Sequence, residues 1–215
     1  MSIKVLILDD HAVVRTGFAM ILSQYPDIDV IAEAESGEQA LDLVRSLKPD
    51  VLLCDLHLPG ISGLEVTERL TKGNSSTKVV VLSVLEDGPL PKRLLESGAC
   101  AYLGKACPAE ELVAAIRDAS RGKRYLSSTI AQRMALSGLA GEESPFDALT
   151  AREIEVAMLL VQGKRSDDIA KRLALSPKTV STHKTNLFEK LGVTDNIALA
   201  RLAGQYGLIE HAQQL

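Results

Sequence analysis

The chain has 215 residues, 24 Lys+Arg against 28 Asp+Glu for a formal net charge of −4, and 46% apolar residues, enough for two modest domains with cores of their own. It has no apolar run of about 18 residues or more and no basic-then-apolar N-terminal region, which predicts a cytoplasmic protein that neither spans nor crosses a membrane. Cys54, Cys100 and Cys107 show no C-x-x-C spacing and read as reduced core thiols, and 3% aromatics with no Trp argue against an aromatic base-stacking platform.

The first 121 residues alternate short apolar runs with helical periodicity. Strands are predicted at Lys4 to Leu8, Asp29 to Glu33, Val51 to Asp55, Lys78 to Ser83 and Ala101 to Leu103. Helices are predicted between and after them, at Val13 to Gln24, Gly37 to Leu47, Gly63 to Thr71, Leu90 to Ser97 and Ala109 to Arg121. Continuous apolar strands alternating with helices predict an α/β fold, a doubly wound five-stranded parallel sheet covered on both faces. Residues 122–145 read as a linker with one short helix, Ser127 to Leu136, and a polar stretch, Gly141 to Pro145. From residue 146 the pattern is purely helical, giving a small all-α second domain.

Charge divides along the same line. Residues 1–145 carry 15 Lys+Arg against 20 Asp+Glu, whereas residues 146–215 carry nine against eight. A polyanion is therefore better placed on the second domain.

Ligands of doubly wound sheets gather beyond the carboxyl ends of the strands, where strand order reverses. Asp9 and Asp10 end the first strand in "ILDDH", and Asp55 ends the third in "VLLCDLHLPGISG". If those strands are neighbours, three carboxylates converge. Such a cluster calls for a hard cation, and oxygen ligands suit Mg²⁺. Ser83 ends the fourth strand and Lys105 follows the fifth in "AYLGK". A metal, an ammonium and a hydroxyl around Asp55 are the set needed to move a phosphoryl group onto that carboxylate. A phosphohydrolase with Asp9 as nucleophile would want an Asp-x-Asp pattern instead, and a domain serving only as a dimerisation platform would not need the acidic trio with Ser83 and Lys105. Cys54 reads as core packing, and His11 as an entry residue of the first helix.

Together "DDH", "D-x-x-x-P-G-x-x-G", the strand-four Ser and "A-Y-L-x-K" resemble the receiver domains of two-component response regulators. The resemblance implies that Asp10 and Asp55 bind Mg²⁺ directly, with Asp9 mainly through water and the backbone carbonyl of His57 as a further ligand. It implies that Ser83 and Tyr102 form a switch pair, that Lys105 contacts the phosphoryl group, and that a sensor histidine kinase supplies it. Leu58, where the family more often has Met, is a conservative departure. Phosphorylation is expected to draw Ser83 and Tyr102 inward and to remodel the surface around the fourth helix and fifth strand.

In the second domain, helices are predicted at Ala151 to Gln162, Asp167 to Leu173, Pro177 to Leu191 and Asn196 to Gln205. Thr150 and Glu153 form a capping box, Gly163 stops the first helix, Ser166 is expected to cap the second, and Ser176 with Pro177 starts the third. Two short helices with a tight turn, the later one rich in Lys and Thr, predict a helix-turn-helix.

Phase places Val180, Leu187 and Leu191 on a core stripe of the third helix, against Ile169 and Leu173, with Lys178, Ser181, Thr182, Thr185 and Glu189 opposite. Residues 176–191 hold three Lys and one Glu. That face suits a major groove, with Ser181, Thr182 and Thr185 as direct readers and Lys178, Lys184 and Lys190 on phosphates. Thr179 and His183 complete the candidate DNA-binding set, His183 by packing or phosphate contact.

"LTxREIEV" and "DDIAKRLALSPKTVSTHKTNLFEKLGV" resemble the LuxR-type domain of the NarL/FixJ class. The resemblance implies a transcription regulator that binds double-stranded DNA as a homodimer through the fourth helix, on half-sites about one turn apart, roughly 10–10.5 bp; the apolar Ile197, Leu199, Ala200 and Leu202 of that helix equally suit the domain's own core. "EDGPLPKRLLESGACAYLGK", "RYLSSTIAQRMALS" and "ESPFDALTARE" are similar to the GacA/UvrY/SirA branch, which implies control of genes for small regulatory RNAs that titrate a translational repressor.

Overall fold

The computed structural model describes residues 2–56, 58–83, 90–127, 130–132, 144–173 and 175–206. The chain divides into two compact units, one formed by residues 1–86 with 94–131 and the other by residues 87–93 with 132–215.

The first unit is a parallel sheet of β1 (Ile3–Leu8), β2 (Ile28–Ala34), β3 (Val51–Asp55), β4 (Lys78–Ser83), β5 (Ala101–Gly104) and β6 (Tyr125–Leu126), in the order β2-β1-β3-β4-β5-β6. The helices α1 (Ala12–Leu22), α2 (Gly37–Leu47), α3 (Gly63–Lys72), α4 (Leu90–Glu96) and α5 (Ala109–Ser120) follow the first five strands in turn. β1 lies between β2 and β3, so strand order reverses between the two strands that carry the carboxylates. Every residue of β3 is buried, as expected of a central strand covered on both faces.

The sixth strand departs from the five predicted. Tyr125 and Leu126 pair with Ala101 and Tyr102, and the Tyr125 N–H donates to the Cys100 carbonyl at 2.9 Å. Two residues carry no periodicity, so a strand this short leaves no pattern in a sequence. The expected linker helix over Ser127 to Leu136 and the polar stretch before Pro145 fall largely outside the described residues.

In the second unit, a 3₁₀ turn (Pro145–Ala148) leads into α6 (Ala151–Val161), α7 (Ser166–Arg172), α8 (Pro177–Leu191) and α9 (Asn196–Gln205). The Thr150–Glu153 capping box is present in both directions, and Ser176 accepts from the Thr179 N–H ahead of Pro177. Gly163 and Gly192 take the left-handed conformation just past α6 and α8 (φ +75° and +64°), which glycine adopts without strain. The expected Ser166 cap is corrected: α7 begins at Ser166 itself, and Arg165 holds the cap position without a side-chain hydrogen bond. Asp167 and Asp168 fill its first turn and Lys171 and Arg172 its last, so charge against the helix dipole stands in for a cap.

Candidate functional site: an acidic pocket and a basic helix face

β1 and β3 run parallel in register, Leu8 beside Cys54, so the residues that follow each strand emerge on one rim. Asp9 and Asp55 are buried, each 2% exposed, while Asp10 is partly exposed. Ligand atoms of Asp9, Asp10, His11 and Asp55 all lie within 4.8 Å of one another.

Lys105, carried in just after β5, bridges the cluster. Its Nζ donates to Asp9 Oδ2 at 2.7 Å and stands 2.9 Å from Asp55 Oδ2. Burial pushes the ammonium pKa down, but its hydrogen bonds to the two carboxylates outweigh that and hold it above the usual lysine value. One cation thus faces three carboxylates.

The residues fit a hard cation. Asp10 Oδ1 is buried with no aligned hydrogen-bond donor, although His11 Nδ1 stands 2.8 Å from it, whereas both Asp9 oxygens accept from N–H donors, Oδ1 from the His11 N–H at 2.8 Å and Oδ2 from Lys105. Asp10, Asp55 and Asp9 offer an all-oxygen set with an excess of negative charge, the chemistry that Mg²⁺ prefers. His57, whose carbonyl is the further expected ligand, lies outside the described residues.

The surrounding chain is shaped to this rim. A Cβ on Gly63 would stand 2.2 Å from the Asp55 carbonyl oxygen, so only glycine lets α3 start this close to the acceptor strand. Gly60 takes a left-handed φ of +76° in the loop between them. The Arg15 guanidinium donates to the Asp9 carbonyl at 2.7 Å and to Glu33 at 3.3 Å, fixing the loop that carries Asp9 and Asp10; the sequence reading did not single this residue out, because its signal is contact rather than spacing. Cys54 is buried, its thiol pushed up by burial and then by Asp55 and Asp9, as a core residue.

Ser83 and Tyr102 are both fully buried, at the end of β4 and within β5. In this structure both side chains lie inside the fold.

On α8, Val180 and Leu187 are fully buried with Ile169 and Leu173, while Leu191 is only half-buried. Lys178, Ser181, Thr182, Thr185 and Glu189 are exposed on the opposite side, and Thr179 and His183 are intermediate. The Thr182 and Thr185 hydroxyls donate to the carbonyls of Lys178 and Ser181, both at 3.1 Å, which leaves their oxygens able to accept. Burial lowers the His183 pKa, partly opposed by Glu153 and reinforced by Arg152.

The lysines separate. Lys178 is exposed, Lys184 lies 5.1 Å over the Phe188 ring, and Lys190 Nζ is bound to Glu153 Oε2 at 2.7 Å. The phosphate role expected of Lys190 therefore competes with a contact inside the domain. On α9, Leu199 is buried but Ile197 is 82% exposed, so the apolar residues of that helix divide between core and surface. Among the described residues no helix is long and apolar enough to cross a membrane.

The chain matches the response regulator receiver domain over residues 5–117 and the bacterial regulatory proteins of the luxR family over residues 147–203. It is 43% identical over 212 residues to the response regulator GacA of Pseudomonas aeruginosa, covering 98% of this chain and 99% of that protein. It is 39% identical over 208 residues to the response regulator UvrY of Escherichia coli K12, covering 96% and 95%.

Among solved structures, RcsB from Salmonella enterica serovar Typhimurium bound to promoter rprA in the presence of phosphomimetic BeF₃⁻ aligns with a TM-score of 0.69 at 25% identity, over 95% of this chain and 99% of that one. The response regulator ChrA of a heme-sensing two-component system aligns with a TM-score of 0.55 at 33% identity, over 97% and 99%. The parallel sheet with its acidic rim, the helix-turn-helix and these full-length likenesses converge: this chain belongs to the two-component response regulators that join a receiver domain to a luxR-family DNA-binding domain, in the GacA/UvrY branch of the NarL/FixJ class.

Proposed function

We propose that Asp55 is the phospho-acceptor and that its modification by a sensor histidine kinase drives pairing of the chain on DNA. The observation that carries this reading is the bridging of Asp9 and Asp55 by Lys105 beside the third carboxylate, Asp10. A carboxylate oxygen of Asp55 attacks the phosphorus of a phosphohistidine. The P–N bond breaks, and its electron pair leaves on the imidazole nitrogen, which takes up a proton. Lys105 is positioned to neutralise a phosphoryl oxygen, Mg²⁺ held by Asp10, Asp55 and, through water, Asp9 would neutralise another, and Ser83 would orient a third. Val13 and Met20 on α1, 85% and 66% exposed, offer an apolar surface to the kinase.

Ser83 and Tyr102 serve as the switch pair in this reading, drawn inward when Asp55 is phosphorylated. The exposed Ile197 supports α9 as the homodimer contact. Lys178, Ser181, Thr182 and Thr185 enter the major groove, with Thr179, His183 and Lys184 at its edge. The protein acts in the cytoplasm and is not a turnover enzyme.

Incubation with a small phosphodonor and Mg²⁺, followed by mass spectrometry of rapidly digested protein, tests the acceptor. A labile phosphoryl group on the peptide holding Asp55, absent in Asp55→Asn, is expected. Modification elsewhere, or sustained turnover of phosphate esters blocked by Asp9→Ala, would overturn it.

A further inference from the structure

His11 sits where α1 begins, with φ −97° and ψ 109°, yet its side chain makes no capping hydrogen bond to the helix. Its Nδ1 instead lies 2.8 Å from Asp10 Oδ1 and 3.3 Å from Asp9 Oδ1, and its own N–H fixes Asp9 Oδ1 at 2.8 Å. Lys105 contacts the Oδ2 atoms of Asp9 and Asp55. The Asp9 and Asp10 oxygens nearest the imidazole are different atoms from those Lys105 holds.

These separations have a simple geometric meaning. A six-coordinate divalent cation with bonds of about 2.0–2.2 Å holds neighbouring ligand atoms roughly 3 Å apart, and 2.8 and 3.3 Å bracket that edge length. An octahedral shell around a cation on this side would meet Nδ1 together with Asp10 Oδ1 and Asp9 Oδ1. Imidazole is a poor match for strongly hydrated Mg²⁺ and a good one for borderline first-row cations.

We propose that His11 Nδ1 is a nitrogen ligand in the acidic pocket, so that this site takes borderline divalent cations of the Co²⁺, Ni²⁺ and Zn²⁺ class through a donor that Mg²⁺ does not use. This rests on the reading of the pocket as a cation site. It divides the pocket's chemistry by metal: Mg²⁺ is held by oxygen donors alone, whereas Zn²⁺ gains the imidazole. His11 is 60% exposed, so replacing it leaves the core of the fold untouched.

The test uses the full chain at about pH 8, where free imidazole is largely neutral. Calorimetric titrations with Mg²⁺ and with Zn²⁺ compare wild type and His11→Gln, and long-range ¹H–¹⁵N correlation spectra of histidine-labelled protein follow the ring nitrogens. The expected result is a Zn²⁺ affinity at least about tenfold weaker in His11→Gln, consistent with loss of one ligand, with Mg²⁺ affinity nearly unchanged. The ring signal that disappears in His11→Gln should be the one whose Nδ1 shifts on adding Zn²⁺ to wild type. Equal Zn²⁺ affinity in both proteins, or a Zn²⁺-shifted nitrogen that persists in His11→Gln, overturns the proposal while Mg²⁺ binding leaves the acidic pocket standing. Binding of neither cation to wild type overturns both.

Discussion

Lys190, near the end of α8, is joined across 37 residues of sequence to Glu153 in the first turn of α6, Nζ to Oε2 at 2.7 Å. The same Glu153 oxygen accepts the Thr150 N–H at 2.7 Å, so one buried carboxylate both closes the cap of α6 and anchors α8. Burial pushes the Glu153 pKa up, but Lys190 and then Thr150 outweigh it and hold the carboxyl below its usual value. Glu153→Ala is expected to cost about 2–3 kcal/mol, combining a lost cap with a lost buried charge-assisted bond. Lys190→Met should cost about 1 kcal/mol or somewhat more, because the ammonium is partly exposed.

The sign of the pH dependence follows from the lowered carboxyl. Its contribution is fully present above the unfolded carboxyl value near 4.5 and is lost as pH falls through the lower folded value. Thermal unfolding of the second unit from pH 7 down to about pH 3 should therefore show an acid loss that is smaller in Glu153→Gln. An identical acid profile in the two proteins would contradict this role.

The same pairing separates two lysines by their effect on DNA binding. Lys178→Gln should reduce the slope of log affinity against log salt by about one, as expected for one phosphate contact. Lys190→Gln should change that slope by less, because the ammonium is bound to Glu153. Equal slope changes would return Lys190 to the phosphate set.

Two glycines make opposite forecasts. At Gly63 a Cβ would collide with the Asp55 carbonyl at 2.2 Å, whereas at Gly17 within α1 it would meet nothing within 4 Å. Gly63→Ala is expected to destabilise the receiver by about 2–3 kcal/mol or more and to slow phosphorylation, because the backbone of the acceptor strand must shift. Gly17→Ala should stabilise it by roughly 0.5–1 kcal/mol through helix propensity alone. Denaturant midpoints of the two variants check both signs.

Lys105 and Mg²⁺ neutralise the same carboxylates, so removing one should increase dependence on the other. Lys105→Met is expected to lower the melting temperature of the receiver without Mg²⁺, by the equivalent of about 1–3 kcal/mol, and to show a larger Mg²⁺-induced rise than wild type. In wild type the raised ammonium pKa means its stabilisation is present through neutral pH and is lost only as pH rises through the folded value, above 10.5. An unchanged Mg²⁺ response in the variant would show that lysine and cation act on separate charges.

The ranking of the two adjacent aspartates is a further check. Asp10 Oδ1 has no aligned hydrogen-bond donor and faces the exposed His11 imidazole at 2.8 Å, while both Asp9 oxygens are held by N–H donors. Asp10→Ala should weaken Mg²⁺ binding more than Asp9→Ala, measured by calorimetry. The reverse order would assign the direct ligand to Asp9.

The receiver was legible because its signals are long-range in chemistry but local in pattern. Each apolar strand ends on the residue that matters, so the pairing of β1 with β3, left as a condition by the sequence, brings Asp9, Asp10 and Asp55 together. Caps were legible at Thr150 and Ser176, where a side chain and its N–H acceptor site lie three residues apart. Strand β6 was not, since Tyr125 and Leu126 become a strand only through pairing with β5. Nor was the partner of Lys190: helical phase gives the face on which a side chain starts, while the reach of four methylenes and the position of α6 decide where its charge ends. The contacts of Arg15 and His11 with the pocket depend likewise on the turn after β1, which no periodicity encodes.

The central claim is that a phosphoryl group on Asp55 controls DNA binding by the other domain. DNA affinity of the full chain, measured before and after treatment with a small phosphodonor and Mg²⁺, for wild type and for Asp55→Asn, tests it most directly. Wild type should gain about tenfold or more, within the usual range of coupling between distant sites, and Asp55→Asn should gain nothing. An unchanged wild-type affinity, or an equal gain in Asp55→Asn, would contradict it.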